Sequence, residues 1–353
     1  MEYKAAVLIG RFQPFHNSHL EVIQQGLTLA EKVIIVVGSA KAAPNIKNPW
    51  SFVERHNMIV GALMKANIPS HRIEIVPVRD YYNNENLWIR DIQNQVSEYT
   101  QPGDSIALLG HYKDNSSYYL KYFPQWEFVP VKSTRPLNAS EIRKSMFEDG
   151  KIPVDDVPSS IYQWLHGWMC ETGPSWTAGS DGVSYTTDMC ARQSEWAFIK
   201  KYKEQWANSP FPPTFVTVDT VVVCSGHILV VKRKFDPGKG LMALPGGFVR
   251  QSERLQDAAL RELKEETGIR IDKLILENAI VDSHTFDHPD RSLRGRTLST
   301  AFYIKLKDGD LPEVKGSDDA ERATWLPLMD VMAKEDCFFE DHAHIISYFV
   351  NRG

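Results

Sequence analysis

The chain has 353 residues, longer than the roughly 100–200 of a typical domain, so two domains with separate cores are expected. Its 42% hydrophobic and 24% charged residues, with 9 Trp and 16 Phe, exclude a disordered chain. A formal net charge of -5 leaves no basic field for nucleic acid or an anionic membrane, so positive charge is expected only locally, around phosphate pockets.

In chain order, Ala5 to Ile9 reads as a strand, Leu20, Ile23, Leu27 and Ala30 as the apolar stripe of a helix, and Val33 to Val37 as a second strand. Ser51 and Glu54 form a capping box that opens a helix over Phe52 to Lys65. Strands at Ile73 to Val78, Ile106 to Leu109 and Phe128 to Val131 follow, separated by helical patterns around Ile89 to Tyr99 and Tyr118 to Tyr122. Repeated βα units imply an α/β fold with a doubly wound, Rossmann-like parallel sheet, taken here over residues 1–185. Residues 186–213 read as a boundary, with a polar-aromatic helix around Arg192 to Trp206 and then the turn-rich NSPFPP. Residues 214–353 open with Thr214 to Val223 and His227 to Lys232, a hairpin about Ser225-Gly226. One strong helix, Arg254 to Thr267, stands among further strands near Lys273 to Val281 and Thr297 to Lys305, which is an α+β pattern.

The four cysteines, Cys170, Cys190, Cys224 and Cys337, are too scattered for a zinc pattern and too few for a disulfide scaffold, which suits a reducing compartment. The apolar start is too short for a signal segment, and no apolar run approaches the ~20 residues that span a bilayer. A cytoplasmic protein that binds neither membrane nor nucleic acid is therefore expected. The number of subunits is open, a homo-oligomer included.

Gly10 to His19, GRFQPFHNSH, follows the first strand and leads into the first helix, the carboxyl end of a strand where open α/β sheets bind ligands. Gly10 permits close backbone approach, Pro14 stiffens the turn, and His16 and His19 can both reach the helix N-terminus, where N–H groups and the dipole favour anions. With Arg11 they make a phosphate site. The string resembles the signature GxFxPxHxxH of the nucleotidyltransferase superfamily, and GRFQPFH looks most like the archaeal-type nicotinamide mononucleotide (NMN) adenylyltransferases. Leu137-Asn138-Ala139-Ser140-Glu141-Ile142-Arg143 is similar to the superfamily's second motif, with Asn138 and Ser140 in place of its usual Ser and Thr. The resemblance, which covers roughly residues 1 to 180, implies that ATP and NMN are bound by Gly10, Arg11, Phe12, Gln13, His16, His19, Asn138, Ser140 and Arg143, with Arg143 on the ATP β- and γ-phosphates. It also implies Arg55 at the NMN phosphate, Trp88 stacked on nicotinamide, and a nucleotide-contacting loop at Gly110-His111-Tyr112-Lys113-Asp114. His16, His19 and Arg143 are the expected catalytic groups, since adenylyl transfer needs alignment and charge neutralisation rather than a protein nucleophile.

Gly247, Glu253 and Arg261-Glu262-Leu263-Lys264-Glu265-Glu266-Thr267-Gly268-Ile269 fill every defined position of the Nudix box. Read physically, Ser252 can cap the helix, and Leu255, Ala258, Ala259 and Leu263 form its buried stripe. Glu262, Glu265 and Glu266 are spaced i, i+3, i+4, so all three carboxylates leave one side and suit a hard divalent ion, Mg²⁺ or Mn²⁺. The Nudix resemblance adds the Gly246 carbonyl as a metal ligand, Arg261 as the residue that orients the acids, and an acid from a later loop, with Asp318, Asp319 and Glu321 as candidates. Glu262 is the expected base. Phe286 to Arg296 resembles a segment of Nudix proteins that handle ADP-ribose, which places Arg291, Arg294 and Arg296 on the substrate, although Ser292 and Leu293 replace two residues of that pattern. Along nearly its whole length the chain is similar to the bifunctional NMN adenylyltransferase/Nudix hydrolases. The expected activities are NAD formation from ATP and NMN, and hydrolysis of ADP-ribose. A Nudix half that only senses its ligand, or hydrolyses another nucleoside diphosphate derivative, is the alternative.

Overall fold

The computed structural model describes residues 1–110, 121–131, 134, 137–170, 185–316 and 319–351. These form two compact units, Met1–Trp196 and Ala197–Gly353. In the first, β1 (Tyr3–Gly10), α1 (Asn17–Leu29), β2 (Ala30–Val37), α2 (Phe52–Lys65), β3 (Ile73–Pro77), α3 (Glu85–Ser97), β4 (Ile106–Gly110) and β5 (Glu127–Pro130) precede three helices, α4 (Ala139–Asp149), α5 (Ser159–Met169) and α6 (Thr187–Glu204). The division between the units falls inside α6.

All five strands run parallel in the order β3-β2-β1-β4-β5, the doubly wound sheet expected from the alternating pattern. Such strands are covered on both faces and need continuous apolar runs, and Ala5, Val7, Ile34, Val36 and Leu108 are buried together. Strand order reverses between β1 and β4, and the carboxyl ends of these strands, at Gly10 and Gly110, are where open α/β sheets bind ligands. Ser51 Oγ accepts the Glu54 amide at 3.3 Å while Glu54 Oε2 accepts the Ser51 amide at 2.7 Å, the reciprocal cap that the sequence implied for α2. α6 begins earlier than Arg192 because Thr186 Oγ1 accepts the Met189 amide at 3.1 Å. Of the helical pattern at Tyr118 to Tyr122, residues 118–120 lie outside the described residues.

The second unit contains β6 (Thr214–Cys224), β7 (His227–Arg233), β8 (Met242–Ala243), β9 (Gly246–Phe248), α7 (Leu255–Thr267), α8 (Lys273–Asn278), β10 (Ile280–Phe286), β11 (Arg296–Lys305), β12 (Ala320–Pro327), α9 (Leu328–Ala333) and α10 (His342–Val350). Its mixed sheet has the order β10-β11-β6-β7-β12, with β8 on β7 and β9 on β6; among the described strands only β11 and β6 pair in parallel. Ser225 and Gly226 take φ of 45° and 73°, the left-handed pair that closes a tight hairpin.

Three local readings are corrected. Lys273 to Asn278 is helical rather than a strand, because Asp272 Oδ1 accepts the Leu274 amide at 2.8 Å and caps a turn whose Leu274 and Ile275 stay exposed. No side chain caps α7; the turn before it is closed by Glu253 Oε1, which accepts the Arg250 amide at 2.8 Å, and not by Ser252. Leu255 is 37% exposed, so the buried stripe of α7 runs through Ala258, Ala259 and Leu263 without it. Among the described residues no helix is long and apolar enough to cross a membrane.

Two candidate active sites

In the first unit, the loop after β1 turns sharply at Phe12, whose φ is 52°. A Cβ on Gly10 would lie 2.9 Å from the Phe12 ring, so the loop closes only over glycine. His16 heads α1, its amide donates to His19 Nδ1 at 3.2 Å, and the two rings stack with centroids 3.5 Å apart. Because Nδ1 accepts, the neutral His19 ring carries its proton on Nε2 and is a donor there. Both imidazoles thus stand at a helix N-terminus beside the strand-order reversal.

Arg143 on α4 reaches the same loop. Its Nε donates to the Ile46 carbonyl at 3.0 Å, its Nη1 to the Gln13 carbonyl and its Nη2 to Ser140 Oγ at 3.1 Å. Burial, and then the Arg11 charge, lower its pKa to about 10, so it stays charged at neutral pH. Asn138 caps α4, its Oδ1 accepting the Ser140 amide at 3.0 Å. Gln13 is spent on structure: its amide group donates to the Trp50 carbonyl at 2.8 Å and accepts the Trp50 amide at 3.2 Å. Arg55 is 1% exposed and donates to the carbonyls of Ser51, Arg11, Gly38 and Ser39, so its guanidinium ties together the ends of β1 and β2. Trp88 packs against the core, its ring 6.1 Å from that of Phe123. Gly110 ends β4 and accepts the Val131 amide at 3.1 Å; His111, Tyr112, Lys113 and Asp114 lie outside the described residues.

In the second unit, α7 sets Arg261 at the centre of its acids. Arg261 donates to Glu253 at 2.6 and 3.0 Å, to Glu262 at 2.7 Å and to Glu265 at 2.8 Å. Glu266 is buried and accepts the Gly246 amide at 3.1 Å. Burial is the main cause that pushes its carboxyl up to about 8, and burial also raises that of Glu262. A Cβ on Gly246 would fall 2.2 Å from the Val218 carbonyl oxygen, so that position admits only glycine, and one on Gly247, 2.6 Å from Glu262 Oε1, would push the Glu262 carboxylate aside.

Glu262, Glu265, Glu266, Gly246 and Asp319 line one cavity of about 640 Å³, together with Arg291 and Arg294, a volume that suits a small organic ligand. As the side chains stand, no three His, Cys, Asp or Glu groups among the described residues close on a single point, because Glu262 and Glu265 turn to Arg261. The donor set still fits a hard divalent cation: oxygen ligands only, and a buried carboxyl whose raised pKa a neighbouring cation would bring down. Arg291 is held bidentately by buried Asp341 at 2.8 and 3.0 Å, and Arg294 lies over the Phe248 ring at 5.1 Å. Arg296 is exposed, bonds the Asp287 carbonyl and is not in this lining. Of the later acids, Glu321 pairs with Lys232 at 3.1 Å and Asp318 lies outside the described residues. Asp219, which sequence reading missed, lines the cavity from β6, is buried with a raised pKa, and accepts from Ser299 Oγ. Its signal was an acid inside an otherwise buried β-branched run.

His342, also in this lining, accepts the Leu244 amide through Nδ1 at 2.8 Å, and burial pushes its pKa down to about 3. The unfolded chain takes up this proton below pH ~6.5 and the folded chain does not, so stability is present above that pH and lost as pH falls toward 3. Between pH 7 and pH 5 this one group is expected to remove about 2 kcal/mol from the second unit. Hydrogen exchange of the β6 and β7 amides at the two pH values reads this loss, and His342→Gln should flatten it; an unchanged slope in that variant would refute the assignment.

A cytidylyltransferase-like family matches residues 7–145, and the NUDIX domain family matches residues 213–349. The nicotinamide/nicotinic acid mononucleotide adenylyltransferase of Acinetobacter baylyi is 39% identical over 160 residues, which are 45% of this chain and 83% of that enzyme. The crystal structure of a bifunctional NMN adenylyltransferase/ADP ribose pyrophosphatase from Francisella tularensis is 37% identical, covers 99% of both chains and has a TM-score of 0.91. A second structure from that organism, complexed with AMP and a Mn ion, is 35% identical with a TM-score of 0.89 over the same 99%.

Proposed function

This chain belongs to the bifunctional NMN adenylyltransferase/ADP-ribose pyrophosphatase family, and we propose that it makes NAD and diphosphate from ATP and NMN in its first unit and hydrolyses ADP-ribose to AMP and ribose 5-phosphate in its second. The observation that carries this reading is that each unit gathers its own phosphate-handling groups: His16, His19 and Arg143 at the reversal of the parallel sheet, and the α7 carboxylates in one cavity with Arg291 and Arg294.

In the first unit an oxygen of the NMN 5′-phosphate attacks the α-phosphorus of ATP, and diphosphate leaves. His19 donates from Nε2 to the phosphates, the α1 N-terminus beside His16 adds positive potential, and Arg143 grips the departing diphosphate. Arg55, held by four main-chain carbonyls, braces the loops that carry this site.

In the second unit Glu262, Glu265, Glu266 and the Gly246 carbonyl would hold divalent metal, Mg²⁺ or Mn²⁺, with Asp319 as the later acid that shares their cavity. When bound, the cation supplies Lewis-acid activation of water and neutralises the diphosphate. Glu262 takes the proton of the water that attacks a phosphorus of the diphosphate, and the bond from that phosphorus to the bridging oxygen breaks to release AMP and ribose 5-phosphate. Arg294, lying over Phe248, and Arg291 hold the diphosphate. A unit that only sensed its ligand would need no such set of acids, and all three are present.

A panel of nucleoside diphosphate derivatives tests the substrate. ADP-ribose is expected to give a higher kcat/KM than 8-oxo-dGTP or diadenosine polyphosphates, and preference for a nucleoside triphosphate would contradict the assignment.

A further inference from the structure

Helix α6 carries two residues that neither motif includes, Arg192 and Glu195, and the cytidylyltransferase-like match ends before them, at residue 145. Glu195 is 2% exposed. Its Oε2 accepts the Ile46 amide at 2.9 Å and Arg192 Nη1 at 3.0 Å, and the same Arg192 nitrogen donates to the Pro44 carbonyl at 2.7 Å. One turn of helix therefore clasps two main-chain groups of the segment that joins β2 to α2. Trp196 lies with its ring 6.1 Å from Phe147, on the helix that carries Arg143. A buried carboxylate is costly to desolvate, and here the Arg192 ion pair and the Ile46 amide offset that cost, which ties the helix to this one peptide.

The Ile46 peptide is gripped from both sides. Its amide goes to Glu195, and its carbonyl takes Arg143 Nε at 3.0 Å. A carboxylate on the amide polarises the peptide and strengthens the carbonyl as an acceptor. Arg143 spends three of its five N–H groups on Ile46, Gln13 and Ser140, which leaves one on each terminal nitrogen for the two oxygens of a phosphate. The orientation of that fork is set by the three acceptors. Two of them are tied in turn to the clasped segment, Ile46 directly and Gln13 through its paired bonds to Trp50.

We propose that Glu195, braced by Arg192, is a positioning residue for adenylyl transfer: through the Ile46 peptide it fixes the Arg143 guanidinium for the ATP phosphates. This rests on the NAD-forming reading of the first unit. Glu195→Ala is expected to lower kcat/KM for ATP by about 10- to 100-fold, the usual cost of a misplaced reacting group, while the KM for NMN holds. ADP-ribose hydrolysis, measured on the same preparation of the full chain, should equal that of the parent. Glu195→Gln keeps an acceptor for the Ile46 amide and should recover most of the loss. In an Arg143→Ala background, Glu195→Ala should cost nothing further. Parent-like kinetics in Glu195→Ala, a loss spread equally over ATP and NMN, or additive losses in the double variant would each overturn the proposal. If Glu195→Ala leaves the first unit unfolded by thermal melting, Arg192→Ala takes its place: a fall in kcat/KM for ATP that Arg143→Ala abolishes supports the clasp, and parent-like kinetics overturn it. A parent chain that forms no NAD would instead overturn the reading on which the clasp rests.

Discussion

The Glu262→Gln variant is expected to hydrolyse ADP-ribose about 10²- to 10⁴-fold more slowly than the parent chain, the usual contribution of a positioned base, while it forms NAD at the parent rate. Glutamine has nearly the same shape, so it can still stand 2.6 Å from where a Gly247 Cβ would be and still accept from Arg261. Leu263 and Ala259, which anchor α7 in the core, are untouched. What disappears is a negative charge and a proton acceptor. If the lost role is that of the base, added Mg²⁺ or Mn²⁺ leaves the defect in place; if it is that of a ligand, higher metal concentration recovers part of the rate. Adenylyl transfer should not respond, because His16, His19 and Arg143 belong to a separately packed unit. A parallel fall of both activities in a variant that melts like the parent would refute two independent centres.

His19→Ala is expected to lower NAD formation by about 10² to 10³ in turnover, the range found when one preorganised donor to developing charge is removed. The His16 amide holds Nδ1 of His19, which leaves the Nε2 proton as the donor to a phosphate, and alanine offers neither. Alanine suits a helix, so α1 should persist; the loss of the reciprocal cap should cost about 1 kcal/mol and appear as a slightly lower melting temperature. ADP-ribose hydrolysis by the same variant should be unchanged. Parent-like NAD synthesis would sink the assignment of this loop.

The alternation of β-branched runs and amphipathic helices was enough to read the parallel sheet, because a strand buried on both faces shows as a continuous apolar run. Spacing alone places the three α7 carboxylates on one side of their helix, but not their partners: Glu262 and Glu265 turn to Arg261, and Glu266 accepts from the Gly246 amide. What could not be read was the use each charge is put to. Arg55 and Arg296 carry the residue type that binds phosphate, and only the fold adds that main-chain carbonyls accept from both guanidinium groups. Asp219 and His342 are far from the box in sequence and enter its cavity only once β6 and α10 are packed. The apolar run at Lys273 fits strand and helix alike, and a single side-chain cap from Asp272 decides it. The clasp of Arg192 and Glu195 joins residues separated by about 150 positions, for which no local spacing exists to be noticed.

The most direct test is product analysis by mass spectrometry on one preparation of the full chain, incubated with ATP, NMN and Mg²⁺, and separately with ADP-ribose and Mg²⁺. NAD with diphosphate is expected in the first incubation, and AMP with ribose 5-phosphate in the second. A preparation that yields one pair of products and not the other would contradict two working centres on this chain.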